Sequence, residues 1–109
     1  MSCKISAPDG FRRDLKPLNK KYHSLKNDLY NLFDSLEINP KQGDELGKSC
    51  YKVRLSIKSK GKGKRGGARV ITYVITENKE VILLSIYDKK EKDTLLPNEL
   101  DELLSEIDI

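Results

Sequence analysis

The sequence predicts an α+β fold: a small, mostly antiparallel sheet with an N-terminal helical hairpin and a C-terminal helix. Three observations predict it. Apolar residues recur at helical spacing up to about residue 36 and then alternate from Tyr51 onward. Two neighbouring stretches, 69–76 and 81–87, are rich in β-branched residues, as central strands are. Beyond Pro97, Leu100, Leu103, Leu104 and Ile107 form an i, i+3, i+4, i+7 stripe. The resulting order, β–α–α–β–β–β–α, implies helices packed on one face of the sheet, with the other face left to water or a ligand.

Residues 3–6 read as a short edge strand before the turn-like Ala7-Pro8-Asp9-Gly10. From Phe11 the pattern is helical, with Leu15, Leu18 and Tyr22 following at steps of four, three and four. Pro17 lies inside this pattern, so either the helix kinks there or a regular turn starts with Pro17 at its first position. Ser24 is placed to cap a second helix carrying Leu25, Leu29, Leu32, Phe33 and Leu36, which Asn39-Pro40 ends. After a loop with Gly43 and Gly47, Tyr51, Val53, Leu55 and Ile57 fall on one strand face and Lys52, Arg54, Ser56 and Lys58 on the other. Glu77-Asn78-Lys79-Glu80 is short enough for a hairpin turn between the two β-branched strands. A polar loop, 88–93, precedes the helix that opens at Pro97.

A length of 109 residues predicts one domain, 1–109, with a single modest core. The chain is 37% hydrophobic and 35% charged, and its net charge of +4 hides a strong segregation. Residues 48–69 hold nine basic side chains and no acid, whereas residues 77–109 hold four basic and ten acidic ones. The middle of the chain is therefore what a polyanion would meet. No apolar run approaches the roughly 20 residues that cross a bilayer, and the first residues lack the apolar core of a signal peptide. With Cys3 and Cys50 far apart and His23 the sole histidine, neither a disulfide framework nor a metal site is expected. The expected setting is the cytoplasm, with both thiols reduced, no membrane and no cofactor.

Four constellations could carry chemistry. Lys52 and Arg54, two apart on a strand, project from one face roughly 6.5–7 Å apart, which suits adjacent phosphates. The loop that follows, with Lys58, Lys60, Lys62, Lys64 and Arg65 among serines and glycines, suits a phosphate backbone; its spacing does not match a nucleotide-cradling Walker loop. Arg69 and Tyr73 share a strand face, a fork for phosphate oxygens beside a ring that stacks or donates. Tyr87, Lys89 and Lys90 lie where the last strand meets its loop, a common place for active residues. Each has a plainer reading: a solvated strand face, a charged hairpin tip, a packed tyrosine beside a salt-bridged arginine, a connection.

No serine–histidine–acid set can be assembled, because the sole histidine, His23, is expected on a helix far along the chain from the other candidates. Catalysis would rest on lysine, arginine and tyrosine, without a metal. RNA offers a reaction such side chains serve, because its 2′-hydroxyl supplies the nucleophile. The protein has only to align the sugar and phosphate, take a proton, stabilise added negative charge and assist the leaving oxygen. A lysine crowded by other cations is the more usable base.

The CYKVRL strand, the SKGKGKRGGAR loop running into RVITYV, and the LLSIYDKKEKD segment together resemble the RelE superfamily of bacterial toxins, nearest its HigB-like branch. The resemblance spans residues 11–107 and is strongest from Cys50 to Asp93. It implies a RelE-like fold and an endoribonuclease that cuts messenger RNA in the ribosomal decoding site, inhibiting translation, and that a cognate antitoxin, a small helix-turn-helix protein, holds inactive. It further implies that Lys52 and Arg54 are the family's basic pair, with Lys52 the base. Arg69 would stabilise the phosphate transition state, and Lys89 or Lys90 would be the basic residue after the last strand. Lys60, Lys62 and Lys64 would grip ribosomal RNA or the message. One departure matters: Leu95-Leu96 stand where RelE has a catalytic tyrosine, leaving Tyr73 and Tyr87 as candidates and the general acid open. ParE-like relatives on the same scaffold act on DNA gyrase without cutting RNA, and a non-catalytic RNA-binding protein would use the same patch. The basic set Lys52, Arg54 and Arg69 favours the nuclease.

Overall fold

A computed structural model describes residues 3–60, 67–92 and 95–107. Its elements are β1 (Lys4–Ser6), α1 (Asp9–Lys21), α2 (Leu25–Ile38), β2 (Asp44–Gly47), β3 (Cys50–Leu55), a 3-10 turn (Lys58–Lys60), β4 (Ala68–Ile75), β5 (Glu80–Asp88) and α3 (Pro97–Glu106). One five-stranded sheet runs in the order β1-β5-β4-β3-β2. Only the β1–β5 pairing is parallel; β5–β4, β4–β3 and β3–β2 are antiparallel. The fold is thus α+β, as the sequence predicts.

Helix α1 runs through Pro17 without a break. A helix-interior proline costs roughly 3 kcal/mol. Burial of Phe11 and Leu18 on the inner face, at about 1.5–3 kcal/mol each, offsets it. With α2 they meet one face of the sheet, where Leu25, Leu29, Leu32 and Leu36 pack on Val53, Leu55, Ile57, Val70, Val74, Val81, Leu83 and Ile86. The alternation read from residues 51–57 therefore points its apolar half at the helical hairpin.

The expectation that all helices share one face is corrected. Helix α3 lies on the opposite face, where Leu100, Leu103, Leu104 and Ile107 pack with Cys50, Ile71, Tyr73, Ile82 and Leu84. The reason is visible in β4 and β5, whose near-continuous apolar sequence puts hydrophobic side chains on both faces. Ion pairs Lys48–Asp101 and Lys92–Glu99 flank this packing. Strand β2, which the sequence reading leaves as loop, pairs with β3 through a two-residue turn. Lys48 and Ser49 there have φ of 54° and 64°, the mirror-image geometry that suits a tight hairpin. His23 falls in the exposed turn between α1 and α2 and not on a helix.

Candidate nucleic-acid interface

Residues directly opposite one another in an antiparallel pair share a sheet face, with Cβ atoms about 4.5–5.5 Å apart. Arg54 stands opposite Arg69 across β3–β4, and Arg69 opposite Tyr87 across β4–β5. Three residues from three separate parts of the chain thereby form one transverse row. Lys52 is on the same face one step away, opposite Ile71 on β4 and Asp44 on β2. The sequence argument surrounds Lys52 with cations; the unforeseen β2 puts a carboxylate beside it. Helix α3 packs over Ile71, and Tyr87 belongs to the same buried cluster, so the row runs from the edge of the α3 core out to exposed Arg54.

Arg54 is exposed, while Arg69 is 4% exposed and donates from its Nη1 to the Ala68 carbonyl at 3.1 Å. Tyr87 is buried, and the Lys92 ammonium lies 5.2 Å from its ring centroid. Lys92 is held in turn by Glu99 in the first turn of α3. The other Glu99 oxygen accepts the Leu96 N–H at 2.8 Å. The hydrogen bond from Lys92, then that from Leu96, hold the Glu99 carboxyl below its usual range. Lys92 lies in the Tyr87–Lys92 segment that the sequence reading picks out, but it is given no role there. The signal lay in its distance from Tyr87 along a turn, which no periodicity encodes.

Asp88 shapes that turn. Its fully buried carboxylate accepts the Tyr22 hydroxyl at 2.6 Å and the Lys90 N–H at 3.0 Å. Its carbonyl takes the N–H groups of Glu91 and Lys92 at 3.0 and 3.2 Å, and the Lys89 N–H reaches the Gly67 carbonyl at 3.2 Å. Lys90 is left exposed and Lys89 half-buried on this frame. Gly67 begins the return into β4, and a Cβ there would lie 1.8 Å from the Leu55 carbonyl oxygen. Only glycine permits that approach.

The other predicted residues are less tightly gathered. Lys58 is exposed in the 3-10 turn. Lys62, Lys64, Arg65 and the side chain of Lys60 lie outside the described residues. Tyr73 faces Cys50 and Ile82 and packs into the α3 core, two ladder steps from Arg69, so the fold does not bring it to the row. Cys50 is buried in that same core; burial pushes its thiol up to about 11, and nearby Lys48 offsets part of the shift. Among the described residues no three His, Cys, Asp or Glu side chains converge as a metal site would need.

What the geometry defines is a small α+β sheet presenting a basic, tyrosine-bearing row at one end of an otherwise packed face. Its fold is RelE-like. The E. coli toxin RelE in the free state, as a double arginine-to-alanine mutant, matches with a TM-score of 0.63 at 19% identity, over 98% of this chain and 99% of that one. The RelBE2 toxin–antitoxin complex of Mycobacterium tuberculosis matches at 0.60 and 20% identity, over 81% and 92% of the two chains. The intact E. coli RelBE toxin–antitoxin complex matches at 0.58 and 19%, over 80% and 96%. No protein-family model matches the sequence.

Proposed function

We propose that this chain is the toxin of a type II toxin–antitoxin system, a ribosome-dependent endoribonuclease that cleaves messenger RNA in the cytoplasm and is restrained by a cognate antitoxin. The observation that carries this reading is the Arg54–Arg69–Tyr87 row. Like charges directly opposite on a sheet are destabilising in themselves. A phosphate between two guanidinium groups reverses the sign of that interaction and gains bidentate hydrogen bonds. RelE toxins and RelBE complexes among the structural neighbours support the same class.

In the reaction this row suits, the RNA 2′-oxygen attacks the adjacent phosphorus and the bond to the 5′-oxygen breaks. The products are a 2′,3′-cyclic phosphate and a 5′-hydroxyl. Lys52 is the candidate to take the 2′-proton, and Arg54 and Arg69 to stabilise the charge that builds on the phosphate oxygens. Tyr87, with Lys89 and Lys90 on the adjoining turn, is the candidate to protonate the leaving 5′-oxygen. Because Arg69 is almost wholly covered, its neighbours must shift aside when RNA binds. Lys58, Lys60, Lys62, Lys64 and Arg65 grip flanking phosphates. Tyr73, two ladder steps from Arg69, lies outside the row.

The test is primer extension on a defined message with purified protein, with and without translating ribosomes. Cuts inside codons only when ribosomes translate are expected. No cleavage by folded, antitoxin-free protein overturns the nuclease. DNA-damage signalling with intact message in producing cells would then point to gyrase.

A further inference from the structure

A carboxylate buried in the first turn of a helix needs partners, and Asp28 takes one from its own helix's N-cap residue and one from the chain beyond β3. Asp28 is 4% exposed, and its Oδ2 accepts the Ser24 hydroxyl at 2.7 Å and the Lys58 N–H at 3.2 Å. The Ser24 oxygen in turn accepts the Ser59 N–H at 2.9 Å and lies 3.0 Å from the Ser59 hydroxyl. Ser24 occupies the N-cap position of α2, yet its hydroxyl makes no capping bond to that helix. Both side chains are spent on the backbone where the chain leaves β3 for the basic stretch. Arg54, Ser56 and Lys58 line one recess there with Asp28 and Asn31.

We infer that Ser24 and Asp28 are positioning residues for RNA binding: they fix the backbone at Lys58 and Ser59, and so hold Lys58 beside Arg54 at the edge of the basic row. This rests on the nucleic-acid reading above and deepens it, assigning to α2 the orientation of cations that α2 does not carry. The carboxylate is also why the anchor works without blocking the site. Its charge is engaged by two donors inside the helix–turn junction, while the Lys58 side chain stays exposed.

The experiment is binding of a fluorescently labelled, unstructured single-stranded RNA oligonucleotide across a series of potassium chloride concentrations. Ser24→Ala and Asp28→Ala are expected to weaken binding about fivefold to tenfold and to flatten the log–log salt dependence by about 0.7 to 1.4, the loss of one or two phosphate contacts. Ser24→Thr, which keeps the oxygen, should bind as the unsubstituted protein does. Leu36→Val, which loosens the same helix at its far end, should lower the melting temperature and leave the salt slope alone. Unchanged affinity and slope in Ser24→Ala and Asp28→Ala overturn the inference, as does an equal loss in Leu36→Val. No RNA binding by the unsubstituted protein overturns this inference, and ribosome-dependent cleavage in the primer-extension test then decides the nuclease reading separately.

Discussion

The two faces of the sheet are built on different terms. On the helical-hairpin face, Val53, Leu55, Val70, Val74, Val81, Leu83 and Ile86 share one apolar cluster with side chains of α1 and α2. On the other face the same strands divide. Cys50, Ile71, Tyr73 and Leu84 form a smaller core under α3, and Arg54, Arg69 and Lys52 at the other end carry charge. One face supplies most of the cohesion, which lets half of the other hold a cluster unfavourable for stability. A strand here is a rigid rail whose two sides answer to different demands.

The largest effect that breaks this comparison belongs to the packed face. Phe11, 1% exposed, is expected to cost about 3–5 kcal/mol as Phe11→Ala, read from the midpoint of denaturant unfolding. Arg69→Ala should do the converse. Cleavage should fall about a hundredfold to a thousandfold, as when one transition-state donor is removed. The melting temperature should shift by no more than roughly 4–8 °C, the size of a 1 kcal/mol change. A folded Arg69→Ala protein that still cleaves would remove Arg69 from the reaction.

Smaller effects follow from pH. The Cys50 thiol holds its proton to about 11 in the fold against 9.0 in the open chain. Its contribution to stability is therefore intact below pH 9 and lost as pH rises toward 11. A thiol-labelling reagent at neutral pH should modify half-buried Cys3 and spare Cys50 until the protein unfolds. Glu99 shows the smallest effect. Its depressed carboxyl contributes above the ordinary carboxylate range and ceases to as pH falls through the folded-state value. Glu99→Gln should remove that acid-side slope at a cost under about 1 kcal/mol, measured by melting at several pH values.

Much of this was legible in the chain. Tyr51, Val53, Leu55 and Ile57 alternate because that side of the chain packs on the helical hairpin, with Tyr51 partly and the other three fully buried. Leu100, Leu103 and Leu104 mark α3 for the same reason. Yet a helical stripe says that a face is buried and not against what, so the side of the sheet that α3 takes stayed hidden. Strand β2, Asp-Glu-Leu-Gly, has no alternation to read and exists because β3 offers an edge. Within the site, Lys52 and Arg54 follow from a period of two. The meeting of Arg69 with Tyr87 depends on strand register, and Lys92 on a turn, neither of which local pattern specifies.

The frame around Asp88 has a consequence for how such a site could diversify. The turn after β5 is held by two side chains, Asp88 and Tyr22, and by the main-chain N–H groups of Lys90, Glu91 and Lys92. None of those bonds uses the ammonium of Lys89 or Lys90. Side chains there can be exchanged while the backbone keeps its path, so selection can retune substrate preference one residue at a time. Adding or deleting a residue would pull the Lys90 amide off the Asp88 carboxylate and the Glu91 and Lys92 amides off its carbonyl. The turn should therefore tolerate changes of letter and resist changes of length.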